Sequence, residues 1–355
     1  MKTEVIDVDP QFPDLGKIKY CANIIRNGGL VIFPTETVYG IAADFTNPKA
    51  IRRLSEVKKR SDDKKYSVII SQKSLVSNYT YFNEPIFYKL MDSFWPGPLT
   101  IIVPSKETGQ TIGLRVPHHN IALRLTAECP FAVAAPSANF EGKPAPTTCA
   151  EALKDLDGLV DAAINGGPAR IGLSSTVVDI SQSGKLQIVR EGAVSKEDIQ
   201  KTAQKKVILF VCTGNSCRSV MGEYLLRHMV KDRNDLDIVS AGTGVFIQST
   251  ASSETISVLK DLGINATGHI SRPISGILLR KADLIFVMTR QHRQQVLERV
   301  PEVEKRIYLL GEFCSSPSSF QSELDIPDPI GRTHQDYQDC LNVIKEAVLK
   351  IKELV

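Results

Sequence analysis

The sequence lacks several features that would place it in a specialised class. Its seven cysteines form no CxxC pair and no Cys/His cluster at zinc spacing. This pattern argues for free thiols in a reducing compartment and against a disulfide framework or a zinc site. No apolar run approaches the roughly 18–20 residues that span a bilayer, and the first residues are acidic with no apolar core. We therefore expect a cytoplasmic protein with no signal peptide and no membrane partner.

The sequence also has little excess of charge of one sign. The formal net charge is +3 over 355 residues, too small to imply nucleic-acid binding by itself, although a local basic face stays compatible with it. The composition is 42% hydrophobic and 23% charged, as in a soluble globular protein. A chain of this length exceeds one ordinary core, so two domains are expected.

The pattern of the chain changes near residue 203. Before it, short apolar runs alternate with Pro- and Gly-rich turns and helical patterns, which predicts a mixed α/β fold with a twisted open sheet. After a polar connector at 190–206, VILFVC (207–212) is typical of a strand buried on both faces of a parallel sheet. Strands and helices then alternate, as in a doubly wound α/β domain. We predict domains over 1–203 and 204–355.

The strand that ends at Cys212 leads directly into the loop TGNSC and a helix that begins near Arg218. A loop of this length can surround a tetrahedral oxyanion with backbone amides and a helix N-terminus. Arg218 could bind two phosphate oxygens, and the same positive field favours the Cys212 thiolate as a nucleophile.

A Cys-x5-Arg spacing alone is a weak signal, since a buried structural cysteine and an unrelated surface arginine would also produce it. Three further features favour the catalytic interpretation: the strand-loop-helix context, Gly214 and Asn215 inside the loop, and a hydroxyl on Ser219. Gly214 would permit a left-handed backbone in the loop, and Ser219 could hydrogen-bond the thiolate.

A cysteine that attacks a phosphate ester as a nucleophile also needs an acid that protonates the leaving group. The downstream segment DIPDP offers Asp328, followed by Pro329, and Asp325 as a competitor. Either acid could instead only begin a turn. We favour Asp328.

Together these motifs closely resemble the low-molecular-weight protein tyrosine phosphatases over residues 205–355. The resemblance rests on VCTGNSCRS, SAGT at 240–243, MTRQH at 288–292 and the DP dipeptide. It implies a phosphocysteine mechanism without a cofactor, with Cys212 as nucleophile, Arg218 as phosphate ligand and Asp328 as general acid and then base. Asn215 and Ser219 would support the loop.

Two positions bear on substrate and regulation. Tyrosine-specific members usually carry a bulky aliphatic residue where Ser216 stands, and a small hydroxyl is more similar to the bacterial protein arginine phosphatases. Ser216 leaves room for a planar guanidinium phosphate, so we favour phosphoarginine over phosphotyrosine as the phosphoprotein substrate and leave both open. Cys217 could form a reversible disulfide with Cys212.

In the first domain, polar groups gather at the ends of apolar segments. Thr35 follows GGLVIF, Lys58 and Arg60 end an amphipathic helix, and further polar residues follow later strands. Such groups suit a ligand cleft, although a turn, or a solvated face for the basic pair, is an equally ordinary explanation. We expect Trp95 to be a core residue. The later candidates are Arg115, Ser137, Asn139, Ser175 and Arg190.

In order, these segments strongly resemble the YrdC-like threonylcarbamoyl-AMP synthases over about residues 10–195. The motifs are FPTETVYG, K-x-R at 58–60, FWPGPLT, LRVP, the S-x-N of APSAN, and SSTVVD followed by REG. The resemblance implies condensation of L-threonine, bicarbonate and ATP to threonylcarbamoyl-AMP, with magnesium on the phosphates and no metal held by the protein. The product modifies tRNA, which would make tRNA or a tRNA-modification complex a partner.

Carried over by motif, two groups of residues have implied roles. Those that would hold ATP are Lys58, Arg60, Ser137, Asn139 and Arg190. Those that would meet threonine or the carbamate-adenylate junction are Thr35, Arg115 and Ser175. The alternative is a non-catalytic domain that binds nucleotide or RNA and directs an active phosphatase.

Overall fold

The computed structural model describes residues 2–60, 66–107, 109–182, 185–314 and 324–355. The chain forms two compact units. The first comprises Met1–Phe82 and Lys89–Ala203, and the second comprises Asn83–Tyr88 and Gln204–Val355. Within the described ranges, no helix is both long and apolar enough to cross a membrane.

The first unit contains ten strands and six α-helices among its described residues. One of these helices begins in the segment grouped with the second unit, and the last one ends at the boundary. The strands are β1 (Glu4–Asp7), β2 (Val31–Phe33), β3 (Gly40–Asp44), β4 (Ser67–Ile69), β5 (Leu99–Pro104), β6 (Thr111–Arg115), β7 (Val133–Ala134), β8 (Ala162–Asn165), β9 (Thr176–Asp179) and β10 (Gln187–Arg190). The helices are α1 (Leu15–Arg26), α2 (Pro48–Lys58), α3 (Pro85–Phe94), α4 (Asn120–Ala127), α5 (Cys149–Leu156) and α6 (Lys196–Gln204).

All ten strands form one mixed sheet in the order β1-β8-β2-β3-β7-β4-β6-β5-β9-β10. Strand β2 shows why helices cover both of its faces. Val31 and Phe33 pack in one core with residues of α1 and α4, whereas Leu30 and Ile32 pack in another with residues of α2 and α5. Successive side chains of a strand point to opposite faces, so an all-apolar strand needs cover on both. The predicted α/β twisted-sheet fold of this unit is confirmed.

The second unit contains four strands and five helices among its described residues. The strands are β11 (Lys206–Cys212), β12 (Leu236–Gly242), β13 (Leu284–Val287) and β14 (Ile307–Leu309). The helices are α7 (Arg218–Met229), α8 (Ser253–Lys260), α9 (Gly276–Lys281), α10 (Arg290–Arg299) and α11 (His334–Leu354).

The four strands are all parallel and lie in the order β12-β11-β13-β14. Strand β11 alternates as an interior strand should. Ile208 and Phe210 share a core with α7, α8 and α11, while Leu209 and Val211 share a core with α9 and α10. The predicted doubly wound parallel sheet is therefore confirmed. This topology leaves the carboxyl end of β11 between two neighbouring strands, where ligands of open α/β sheets bind.

Candidate functional sites

The first candidate site is the loop that joins β11 to α7. Cys212 is the last residue of β11 and Arg218 is the first residue of α7. Both are nearly inaccessible, with 3% and 4% of their surface exposed. The sequence order therefore places a thiol and a guanidinium at the two ends of one short loop, beside a helix N-terminus that favours an anion.

Hydrogen bonds converge on the Cys212 thiol. Its Sγ lies 3.0 Å from the Ser219 hydroxyl, and the backbone N–H of Asn215 donates to it at 3.3 Å. These two contacts fix the position of the sulfur at the start of the loop. The structure thus brings Ser219 and Asn215 to the sulfur, as the sequence analysis expected of a loop that supports a nucleophile.

Gly214 does not use the left-handed backbone that a glycine permits. Its φ lies outside the left-handed region, and the left-handed residue of the loop is Asn215, with φ of 51°. Asparagine adopts this conformation when its side chain is held by local hydrogen bonds. Here the amide nitrogen donates to the hydroxyls of Ser219 at 3.0 Å and Ser240 at 2.7 Å. The amide oxygen accepts the backbone N–H of Arg272 at 2.9 Å.

The two candidate acids occupy different environments. Arg218 donates to the carbonyl oxygen of Ile326 at 3.0 Å and to the Asp328 carboxylate. Asp328 remains 42% exposed at its side chain. Asp325 instead accepts the backbone N–H of Arg290, the first residue of α10, at 2.8 Å. The structure therefore places Asp328 at Arg218 and Asp325 at the start of α10.

Sequence reasoning missed His292, which lies in the quoted MTRQH segment. Its Nε2 is 2.8 Å from the Thr213 hydroxyl of the loop, and its Nδ1 is 2.9 Å from the Thr289 hydroxyl. Burial, together with the nearby positive charge of Arg218, lowers the pKa of His292 to about 4. The imidazole is therefore neutral near pH 7. Its position after β13 was the available signal, because parallel strands end at the same edge of the sheet.

Ser216 and Cys217 lie at the end of the loop. The Ser216 hydroxyl is 3.6 Å from the Cys217 sulfur, and Cys217 also contacts the hydroxyls of Ser252 at 3.4 Å and Tyr337 at 3.6 Å. All seven cysteines are free thiols in this structure. Pairing of Cys217 with Cys212 stays a prediction.

The second candidate site lies at strand ends of the first unit. The loop after β2 is held by Thr35, whose Oγ1 donates to the carbonyl oxygen of Val38 at 2.7 Å and accepts the backbone N–H of Thr37 at 3.2 Å. Arg115, the last residue of β6, reaches this loop. Its Nη2 is 3.0 Å from the Thr37 hydroxyl and 2.8 Å from Oε1 of Glu36. Sequence reasoning assigned no role to Glu36.

The structure brings Lys58, Ser137 and Asn139 together. The Lys58 ammonium donates to the carbonyl oxygens of Ser137 at 2.5 Å and Asn139 at 2.7 Å, and the Ser137 hydroxyl donates to Oδ1 of Asn139 at 2.6 Å. Burial, with a contribution from the charge of Arg60, lowers the pKa of Lys58 to about 8. Lys58 thus holds the loop after β7 and carries a positive charge near pH 7.

Arg190, the last residue of β10, contacts Ser175, which is another of the predicted site residues. It donates to the Ser175 carbonyl oxygen at 2.8 Å through Nη2, and the Ser175 hydroxyl lies 3.0 Å from that of Thr100. Desolvation, followed by the positive charges of Arg115 and Arg60, lowers the pKa of Arg190. The guanidinium of Arg60 lies 4.7 Å from the centre of the Tyr66 ring.

Trp95 is a core residue, as expected. It is 3% exposed, and its indole N–H donates to the carbonyl oxygen of Leu99 at 2.7 Å. Across the described part of the chain, no three His, Cys, Asp or Glu side chains are close enough to hold a metal ion.

Two family models match the chain. Residues 23–192 match the Sua5_yciO_yrdC model, whose description is telomere recombination. Residues 207–355 match the model of the low molecular weight phosphotyrosine protein phosphatases.

Three individual proteins illustrate the similarity of each half of the chain to known relatives. A threonylcarbamoyl-AMP synthase of Pyrococcus abyssi is 37% identical over 193 residues, which are 52% of this chain and 56% of the relative. A Methanocaldococcus jannaschii protein assigned to the same activity is 34% identical and covers 53% of this chain and 89% of its own length. A Klebsiella pneumoniae protein assigned as a low molecular weight protein-tyrosine-phosphatase is 31% identical, over 40% of this chain and 92% of its own length.

The chain spans about half the length of the first curated synthases that it matches, with 53–56% of each covered. Among solved structures, that of P. abyssi Sua5 complexed with L-threonine aligns with 86% of this chain and 99% of its own, at 24% identity and a TM-score of 0.54. This likeness supports the fold.

Proposed function

Because this chain belongs to the Sua5/YciO/YrdC family over residues 23–192 and to the low molecular weight phosphotyrosine protein phosphatases over residues 207–355, we propose that it is a bifunctional enzyme. The first unit condenses L-threonine, bicarbonate and ATP to threonylcarbamoyl-AMP and pyrophosphate, for use in tRNA modification. The second unit hydrolyses a phosphorylated side chain of a protein.

The observation that carries the synthase proposal is that the cationic side chains of Lys58, Arg60, Arg115 and Arg190 lie within electrostatic reach of one another. Arg60 acts electrostatically on both Lys58 and Arg190, and Arg115 acts on Arg190 as well. Arg115 is paired with the buried carboxylate of Glu36. The other three cations, Lys58, Arg60 and Arg190, fit a polyphosphate, whose charge would stabilise Lys58 and Arg190 in the charged form that burial disfavours. Magnesium ions bound to the phosphates would neutralise part of their charge.

The synthase proposal is tested by pyrophosphate release from ATP. We expect release that requires both threonine and bicarbonate, and a loss of at least about 100-fold in the Lys58→Ala, Arg60→Ala double variant. The matched control is Lys49→Ala, Arg52→Ala, which removes the same charge from exposed positions of α2. If the wild type retains tRNA in a salt-sensitive manner but releases no pyrophosphate, the first unit is the binding module.

The observation that carries the phosphatase proposal is the position of the Cys212 sulfur. It accepts the backbone N–H of Asn215 and lies 3.0 Å from the Ser219 hydroxyl, in a loop that ends at Arg218. The Cys212 thiolate attacks phosphorus, and the bond to the leaving group breaks as Asp328 donates its proton. Asp328 then removes a proton from a water molecule, which displaces Cys212 from the phosphocysteine and yields inorganic phosphate. Arg218 binds the phosphoryl oxygens throughout.

For the phosphatase substrate we propose phosphoarginine ahead of phosphotyrosine, because Ser216 is small and carries a hydroxyl. The test is phosphate release from matched phosphoarginine and phosphotyrosine peptides. We expect a phosphoarginine preference that Ser216→Ile reverses, and no release by Cys212→Ser. A phosphotyrosine preference in the wild type would remove loop size as the specificity filter. Absence of Cys212-dependent release from both peptides would overturn the phosphatase assignment.

A further inference from the structure

Glu36 is the most completely buried charged side chain in the first unit's candidate site. It is 1% exposed, and among the described residues neither carboxylate oxygen has a hydrogen bond. Its Oε1 lies 2.8 Å from Nη2 of Arg115 in an ion pair. A buried carboxylate normally accepts several hydrogen bonds, because its desolvation is otherwise uncompensated.

The backbone around Glu36 is firmly held. Its carbonyl oxygen accepts the N–H of Ile171 at 2.8 Å, and the next carbonyl, that of Thr37, accepts the N–H of Gly172 at 3.0 Å. The Thr35 hydroxyl bonds the same loop from within. The carboxylate is therefore fixed in place by well-satisfied neighbours, and its lack of hydrogen bonds does not come from a loosely packed loop.

A second polar group without a partner lies near it. Nδ1 of His119 is buried and has no hydrogen bond with any described residue. Burial lowers the pKa of His119, and the charge of Glu36 opposes that effect, which places the two side chains within electrostatic reach. Unsatisfied donors and acceptors that share one buried region indicate a polar ligand.

The Arg115–Glu36 pair presents a positive and a negative group side by side. An α-amino acid carries the complementary arrangement, a carboxylate and an ammonium on adjacent atoms. Arg115 matches the carboxylate, and Glu36 then has the charge and the vacant acceptor sites for the ammonium. A nucleotide phosphate is the wrong partner for Glu36, because two anions would repel in a buried site.

We propose that Glu36 binds the α-ammonium group of the amino acid substrate and so selects an amino acid over the corresponding hydroxy acid. This inference rests on the proposed synthase function of the first unit. It assigns to Glu36 the recognition of the nitrogen that becomes the carbamate, and to Arg115 the orientation of the same molecule.

The test is calorimetric binding to the full chain of L-threonine and of the 2,3-dihydroxybutanoate in which a hydroxyl replaces the ammonium. We expect the wild type to bind threonine at least about tenfold more tightly. Glu36→Gln keeps the shape of the side chain and removes its charge. It should lower the affinity for threonine by at least about tenfold and change the affinity for the hydroxy acid by less than about twofold. Glu56→Gln is the control, because Glu56 is an exposed acid on α2.

The outcomes separate the two proposals. If the wild type binds threonine but Glu36→Gln binds it equally well, or loses both ligands equally, the Glu36 assignment is wrong and the synthase proposal stands. If Glu36→Gln does not fold, the wild-type comparison still decides, because equal affinity for the two ligands contradicts ammonium recognition. If the wild type binds no threonine, the synthase proposal fails and the Glu36 assignment fails with it.

Discussion

The two acids near the phosphatase site, Asp328 and Asp325, have different partners. Asp328 pairs with Arg218, whereas Asp325 accepts the first N–H of α10. We expect Asp328→Asn to lower kcat by about 10²–10⁴-fold for a poor leaving group, and by much less for an activated aryl phosphate that needs no proton. The measurement is the dependence of kcat on the pKa of the leaving group, for the wild type and for Asp328→Asn.

Asp325→Asn is the matched control for that series. It removes the same charge from the same segment, so we expect near-normal kcat together with a loss of about 0.5–2 kcal/mol in unfolding free energy from the weakened helix start. A dependence on leaving group that appears in Asp325→Asn and not in Asp328→Asn would exchange the two assignments.

Lys58 links nucleotide binding to pH. Burial lowers its pKa to about 8, so its charge, and the attraction for a phosphate, is complete well below pH 8 and declines as pH rises through 8. We expect ATP affinity to fall between pH 7 and 9, with proton uptake on binding near pH 8, because a bound polyanion favours the charged amine. Calorimetry in buffers of different ionisation enthalpy measures the uptake.

Lys58→Arg provides the comparison, because its guanidinium stays charged throughout this range. We expect its ATP affinity, at whatever level, to be flat from pH 7 to 9. Equal pH dependence in both proteins would assign the titration to another group and remove Lys58 from the phosphate site.

Residue identity and spacing predicted Cys212 and Arg218, because both lie at the ends of one short loop. The choice of Asp328 came from the family resemblance of the DP dipeptide, and the structure places its carboxylate against Arg218. Identity and spacing could not predict Glu36 or the left-handed Asn215. The environment of Glu36 depends on Arg115, which comes from a distant strand, and the conformation of Asn215 depends on partners on β12 and beyond. Long-range contacts of this kind leave no local pattern in the sequence.

At the scale of elements, the phosphate-binding loop is shaped by the strand beside it. A Cβ on Gly242, the last residue of β12, would lie 2.4 Å from the carbonyl oxygen of Thr213 and 3.0 Å from the backbone nitrogen of Asn215. Both are backbone atoms, so Gly242→Ala must displace the loop. We expect at least about a tenfold loss of phosphatase kcat/KM, since misplacement of a catalytic group is costly.

Gly244→Ala tests the same segment without the clash. Its Cβ would meet a Thr213 methyl group at 3.4 Å, an ordinary contact, and its φ is not left-handed. Near-normal kcat/KM is therefore expected. Equal losses in the two variants would indicate general destabilisation of the segment, and thermal unfolding of each would measure it.

The elements themselves were predictable where periodicity is strong. The sequence of β11 predicted a strand covered on both faces, because every residue from 207 to 212 is apolar and successive side chains point to opposite faces. The strands of the first unit were harder to predict from the sequence. Its ten-stranded mixed sheet includes strands as short as Val133–Ala134 and is assembled largely by pairing between distant segments. In the ladder β4-β6-β5-β9, which carries Arg115 and lies beside Ser175, β5 and β6 are consecutive in the chain, whereas β4 and β9 join them from more distant segments.

For the whole molecule, the change in pattern near residue 203 predicted two domains, and each candidate site uses residues of one unit. The described hydrogen bonds of Lys58, Arg115 and Arg190 stay within the first unit, and those of Cys212 and Arg218 stay within the second. Substitutions that share no partners usually act independently. The two activities should therefore be separable by point substitutions.

The expected pattern is a double dissociation in the full chain. Lys58→Ala, Arg60→Ala should abolish threonine-dependent pyrophosphate release and leave phosphatase kcat/KM within about twofold of the wild type, while Cys212→Ser should do the reverse. Both reactions are measured on the same preparations, with ATP, threonine and bicarbonate present or absent. If a substitution in one unit lowers the other activity beyond that range while thermal unfolding is unchanged, the two sites are coupled, because a loss without destabilisation requires a free energy shared between them.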